Sequence, residues 1–139
     1  MTTPIKLPIY IGDTHALVWY LTNDSKLSFG ALEAFEKVIN GNAVLIIPAV
    51  VLAELFMIVQ KQRTPLVQST LQKVIKKWRA ARHIHLTNLT PDIVIRSTHF
   101  QEVPDIFDRL IVAEADRLAA TIITRDLSIT AVQQIKTIW

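Results

Sequence analysis

Four acidic side chains in this sequence fall where a carboxylate is either unusual or well placed to do chemistry. Glu54 is the single charged residue in the stretch PAVVLAELFMIV, Pro48 through Val59, where an unpaired charge is expensive to bury. Asp13 directly follows the apolar run PIYIG, and Asp126 follows TIIT by one residue. Asp108 shares a helical face with Ile111, Val112 and Ala115, much as Glu54 shares one with Val50, Val51 and Ile58. Carboxylates brought together repel one another, and their pKa values rise unless cations neutralise the group. An oxygen-only donor set, with no cysteine in the chain and no histidine pair at ligand spacing, suits Mg²⁺ or Mn²⁺ better than zinc. One or two such ions polarise a phosphate, activate a water and stabilise the leaving oxygen, which is phosphoryl transfer to water.

Each acid also has an ordinary role open to it. Asp13 suits a helix N-cap, and Asp126 suits the turn chemistry of a loop after a strand. Asp108 lies three residues after Asp105, the expected cap, where an acid in the first turn stabilises a helix. Glu54 can lie at a seam and reach water along its own stem. What separates the two readings is whether the fold brings the four together.

The elements that must position them alternate. PIYIG reads as a strand and THALVWYL as the helix it feeds, with Ala16, Leu17 and Tyr20 at helical spacing. A helix from about Ser28 carries Leu32, Phe35, Val38 and Ile39 on one face, with Gly41 just past its end. AVLII is the second strand, and Pro48 suits the first turn of the next helix, whose face holds Val50, Val51, Glu54, Met57 and Ile58. A helix over Pro65 to Arg82 shows an apolar seam of Val67, Leu71, Val74 and Trp78. HIHLT is a third strand, PDIVIRSTHF a short helix, Asp105 to Ala119 a longer helix and TIIT a fourth strand, with SITAVQQ and KTIW adding a last helix and strand. Strands separated by helices imply a three-layer α/β/α sandwich with a mostly parallel central sheet. In such sheets ligands collect beyond the carboxyl ends of the strands, near the point where strand order reverses. Asp13 and Asp126 are expected on that rim, with Glu54 and Asp108 near the starts of helices that abut it.

Composition bounds the rest. The 139 residues fit one domain, 1–139, with a substantial core. Half the residues are hydrophobic and 19% are charged, which argues against disorder. The longest apolar stretch is interrupted by Pro48 and Glu54, so it reads as strand and helix rather than a bilayer span. The N-terminus MTTPIKLPIYIGD lacks the plan of a signal peptide, and the lack of cysteine fits a cytoplasmic protein. A net charge of +3 favours approach to a polyanion without naming one.

Lys73, Lys76, Lys77, Arg79 and Arg82 make one helix face basic, which reads as a solvated face or as a track for a nucleic-acid backbone. Trp78 belongs to the core seam. His15, close to Asp13, is open to substrate contact and suits a structural role at the helix start better than general-base work, while His83, His85 and His99 have no ligand spacing. Arg109 and Arg125 flank acids of the quartet and suit either tying the rim together or gripping phosphate.

The ordered segments DTHALVWYLTND, LAEL, DIFDRLIVAEA and TIITRD resemble the PIN-domain family, and within it the VapC-type toxins of type II toxin–antitoxin systems. The resemblance runs from about Ile9 to Trp139. It implies a PIN-like fold and a metal-holding quartet at Asp13, Glu54, Asp108 and Asp126. It also implies Mg²⁺-dependent endoribonuclease cleavage of single-stranded RNA, a homodimer, and a small antitoxin partner covering the acidic groove. Ile106 stands where relatives often carry proline, which costs preorganisation of a helix start and leaves the carboxylates intact. Asp105 suits capping better than a fifth place in the quartet, and Thr124 suits equally a hydrogen bond that orients Asp126 and the strand propensity of threonine.

Three other classes fit less well. A PIN-like RNA-binding module without activity is expected to lack at least one acid. A phospho-accepting receiver needs a lysine after its last strand, and KTIW ends the chain. A haloacid-type phosphatase needs a second Asp two residues after the first, where His15 stands.

Overall fold

A computed structural model describes residues 6–139. Its strands are β1 (Ile9–Gly12), β2 (Val44–Pro48), β3 (Ile84–Thr87), β4 (Thr121–Ile123) and β5 (Lys136–Ile138). Its helices are α1 (Thr14–Leu21), α2 (Phe29–Ile39), α3 (Ala49–Gln60), α4 (Gln68–Ala80), α5 (Pro91–Ser97), α6 (Ile106–Leu118) and the single turn α7 (Leu127–Thr130). The expectation for the extreme N-terminus falls in part on residues 1–5, outside the described residues.

The strands form one sheet in the order β3-β2-β1-β4-β5, and every pairing is parallel. The sheet is therefore parallel throughout, where the sequence predicts it mostly so. A parallel sheet needs a crossover between successive strands and right-handed crossovers throughout. The run β1 to β2 to β3 steps one way from the centre and β4 to β5 the other, so the crossovers flank both faces. A sheet covered on both sides needs strands that are apolar on both faces. Accordingly Ile11, Ile47, Ile122 and Ile123 are all fully buried.

Helix faces agree with periodicity in outline and differ in detail. In α2 the buried stripe is Ala31, Ala34, Phe35 and Val38, whereas Leu32 and Ile39, expected on that face, are 36% and 65% exposed. The two alanines bring the helix close to its neighbours, and the bulkier pair turns outward. Gly41 follows the α2 C-cap as expected, with φ of 78°, the left-handed region that glycine enters without a Cβ penalty. In α3 the fully apolar line is Val51, Leu55 and Val59, with Met57 exposed and Glu54 only partly covered. Pro48 ends β2 in an extended conformation as the α3 N-cap, paired in register with Thr87, rather than entering the first helical turn.

Helix α4 begins at Gln68, later than Pro65, because Val67 is the extended N-cap residue and is 55% exposed. Leu71 and Trp78 keep their places in the core, with Val74 packed against it. The last helix is much shorter than SITAVQQ, stopping at Thr130, and Val132 is buried beyond it. Among the described residues no helix is long and apolar enough to cross a membrane.

One close approach fixes where α1 leaves the sheet. A Cβ on Gly12 would stand 2.9 Å from Leu17 Cγ and 3.3 Å from Phe35 Cε1, and both neighbours are nearly fully buried. Gly12→Ala is therefore expected to destabilise the protein by about 1–3 kcal/mol, the usual cost of overpacking. Equilibrium urea unfolding measures it, and an unchanged midpoint would show that α1 can move aside freely.

Candidate active site

Strand order reverses between β1 and β4, where one run of crossovers leaves to one side and the next to the other. Asp13 and Asp126 follow these two strands at their carboxyl ends, as the sequence predicts. The Asp13 amide donates to the Ile123 carbonyl at 3.0 Å, extending the β1–β4 ladder up to the acid itself. Asp13 occupies the α1 N-cap position yet its side chain makes no capping hydrogen bond. Instead its Oδ2 accepts a 2.7 Å bond from the Thr124 hydroxyl. Capping, one of the two roles open to it from sequence, is not what this carboxylate does.

Thr124 is nearly fully buried, and its Oγ1 also accepts from the Asp126 amide at 3.0 Å. The residue thus ties the loops after β1 and β4 together. The expectation that it orients Asp126 is corrected in its detail: the hydroxyl donates to the carboxylate of Asp13 and receives only the backbone of Asp126. The Asp126 side chain is held by Ser128, whose amide and hydroxyl both donate to Oδ1 at 2.8 and 2.6 Å. Asp126 therefore does perform the turn chemistry of an N-cap while standing at the rim.

Glu54 reaches back across the rim to α1, where the Thr14 hydroxyl donates to its Oε1 at 2.9 Å. Thr14 is almost fully buried. A hydroxyl beside an acid in the sequence DTH was the available signal, and without the fold its partner was not identifiable. Asp105 caps α6 through a 3.1 Å bond from the Asp108 amide, so α6 starts at Ile106 with no proline in its first turn.

The acids sense one another. Burial pushes the Asp108 carboxyl up to about 7, and the charges of Asp13, Asp105, Asp126 and Glu54 all push the same way. Burial also raises Glu54, opposed by the Thr14 hydrogen bond and reinforced by Asp13 and Asp105. Asp13 is raised by burial first, against the Thr124 hydrogen bond and the nearby His15, with Asp126 adding repulsion. The structure thus brings Asp13, Glu54, Asp108 and Asp126 into one electrostatic group and adds Asp105 at its edge. Among the described residues no three His, Cys, Asp or Glu side chains stand close enough together, as placed, to hold a metal ion. The acids form an open group of oxygen donors whose mutual repulsion favours a divalent cation.

The other polar residues sort differently. Arg109 Nε donates to the Val103 carbonyl, a tie within the α6 approach. The exposed cations of α4 belong to a helix packed on β3 and α3, with β3 the edge strand two places from β1. Arg125 lies at the cleft with His15, Trp19 and Trp139, two tryptophans that sequence reading passed over. Trp19 follows His15 by four positions on α1 and so shares its face.

Two measurements check this geometry. Thr124→Val removes a buried donor and acceptor at once and is expected to cost about 1–3 kcal/mol in denaturant unfolding. For Asp108 the sign follows from linkage: between its ordinary value of 3.8 and about 7 the folded chain keeps a proton that the unfolded chain has lost, so stability falls as pH rises through that window. Asp108→Asn, lacking the charge, should therefore gain on wild type as pH rises, reaching ~2–5 °C in Tm above pH 7 in metal-free buffer, a figure reduced for the half-exposed position. A constant difference from pH 4 to pH 8 would show that Asp108 is not under this repulsion.

Comparison with known proteins agrees with the fold. The PIN domain family model matches residues 10–134, a span that includes all four acids. No curated protein sequence is similar enough to this chain to count as a match. Among solved structures, VapBC2 from Rickettsia felis bound to a DNA fragment from its promoter is similar, with TM-score 0.65 and 18% identity over 93% of this chain and 96% of that one. A toxin–antitoxin complex from Klebsiella pneumoniae gives TM-score 0.62 and 19% identity over 91% and 94%. DNA-bound VapBC from Salmonella typhimurium gives TM-score 0.66 and 13% identity over 95% and 97%. On the extent of the family match and the parallel architecture, this chain is a member of the PIN domain family.

Proposed function

We propose that this chain is a divalent-metal-dependent endoribonuclease that cuts single-stranded RNA, and that it is the toxin of a toxin–antitoxin pair. The observation that carries the nuclease reading is the grouping of Asp13, Glu54, Asp108 and Asp126 at the switch point of the sheet, where Asp108 feels the charge of the other three. The toxin reading draws on the similarity to chains from VapBC complexes, and it brings with it a small antitoxin, a homodimer and a cytoplasmic setting. The inactive binding-module alternative is disfavoured because no acid of the quartet is missing and Asp108 feels the charges of the other three.

In this reading the four carboxylates hold Mg²⁺, for which Mn²⁺ can substitute. The ion, when bound, supplies the Lewis acidity that polarises the phosphodiester and makes water a competent nucleophile at neutral pH. The chain's own residues prepare that step. Thr124, Thr14 and Ser128 fix the carboxylates of Asp13, Glu54 and Asp126, so little reorganisation is needed when substrate arrives. Asp108, whose carboxyl is pushed up to about 7 by burial and the neighbouring acids, would be the group of the four to give up a proton if a cation were held there. The chain's net charge of +3 offsets the local acidity and assists approach of a polyanion.

The test is cleavage of a panel of single-stranded and hairpin RNAs by purified protein in Mg²⁺ or EDTA. Asp13→Asn and Glu54→Gln are expected to remain folded and to lose more than the ~10–100-fold typical of an outer-shell partner. Cutting that persists in EDTA, or in either variant, would remove the quartet from the mechanism.

A further inference from the structure

The acids make up only part of the cleft. It has a volume of about 360 Å³, and beside Asp13, Thr124 and Asp126 it is lined by His15, Trp19, Arg125 and Trp139. The Arg125 guanidinium lies 4.4 Å from the centroid of the Trp19 ring and 5.9 Å from that of Trp139. The two indoles meet edge to face at 5.8 Å, with 69° between planes, and the His15 ring is 5.8 Å from Trp19. Arg125 and His15 are exposed, whereas Trp78 is buried in the core. Trp19 and Trp139 are partly buried, packed against the core on one side and lining the cleft on the other.

The charge state of Arg125 is informative. It joins no ion pair among the described residues, although Asp126 is next to it in sequence and Asp13 lines the same cleft. Its cation lies over the indole rings instead, where the ring quadrupole attracts it. A wall of indole, imidazole and guanidinium planes suits a flat, π-rich ligand, and unpaired nucleobases are recognised by such surfaces. The cleft volume is at the lower end of the ~300–1,000 Å³ range of small-ligand sites. That is room for about one nucleotide and not for a duplex.

We propose that His15, Trp19, Arg125 and Trp139 form a nucleobase subsite, in which one unpaired base of an RNA strand stacks while the adjoining phosphodiester lies by Asp13 and Asp126. The proposal rests on the nuclease reading in taking RNA as the occupant, and it deepens it by supplying a reason for single-strand selectivity. A base held in a duplex cannot leave its stack to reach this wall without a cost in unpairing. A base in a loop or single strand can.

The experiment is equilibrium binding of a short single-stranded RNA, and of the same strand made abasic at every position, to the Asp108→Asn protein. That background is expected not to cut, and Asp108 does not line this cleft. Tryptophan fluorescence reports contact, because two of the three tryptophans lie in the wall. The intact strand should quench and bind roughly 5- to 150-fold more tightly than the abasic one, the range expected for stacking of one base. Arg125→Lys keeps the charge, is exposed enough to leave folding intact, and should remove most of that difference. Equal binding of the two strands, or a difference untouched by Arg125→Lys and Trp19→Leu, overturns the subsite and leaves the wall to a protein partner. The two claims separate cleanly: base-dependent binding without metal-dependent cutting by wild type sinks the nuclease and keeps the subsite, and the reverse sinks only the subsite.

Discussion

Like charges taken out of water at one sheet edge repel each other and are poorly solvated, and this fold must hold four carboxylates there against both effects. The restraint comes from a few hydrogen bonds made by small hydroxyl side chains. Thr124 holds Asp13, Thr14 holds Glu54, and Ser128 holds Asp126. Two of the three donors, Thr14 and Thr124, are almost completely buried, so water competes little for them. Asp108 has its amide engaged by Asp105, and its carboxyl is the one raised furthest, to about 7. The residual strain is thus concentrated on one side chain, which makes it the natural point of coupling between protons and cations.

The packing beneath supports this arrangement. The β1 strand is central, paired to β2 on one side and β4 on the other, and the Asp13 amide continues the β4 ladder. The acids come from four separate stretches of chain that the parallel sheet brings to one edge. Gly12 lets α1 leave the sheet at close range to Leu17 and Phe35, which sets the height of Asp13 and Thr14 together. The same exit places His15 and Trp19 on the cleft side of α1, so the acidic and aromatic parts of the cleft share one structural origin.

Much of this was legible in the sequence because alternating apolar runs encode parallel strands and their crossovers with little ambiguity. The order of elements, the rim positions of Asp13 and Asp126, and the core role of Trp78 followed from periodicity and composition. Face assignments failed where small residues decide packing: Ala31 and Ala34 are buried in α2 and displace the expected Leu32 and Ile39, because close approach can outweigh side-chain hydrophobicity. The start of α4 slipped since Val67 is apolar yet caps the helix from an exposed position. In the candidate site the acids were readable and their tethers were not. The partners of Thr14 and Thr124 lie 40 and 111 positions away in the chain, a distance that no local pattern spans. The Trp139 contribution to the cleft likewise depends on β5 lying beside β4.

The central claim, that these carboxylates repel one another until a divalent cation joins them, is tested most directly by calorimetric titration of Mn²⁺ or Mg²⁺ into the protein from pH 5.5 to 8.5, in buffers of differing ionisation enthalpy. The account predicts binding that tightens as pH rises through about 7, with close to one proton released per site below that pH and little above it. It also predicts that Asp108→Asn removes most of the proton release. Binding that is independent of pH and releases no proton would contradict it, as would no binding at all at any pH in this range.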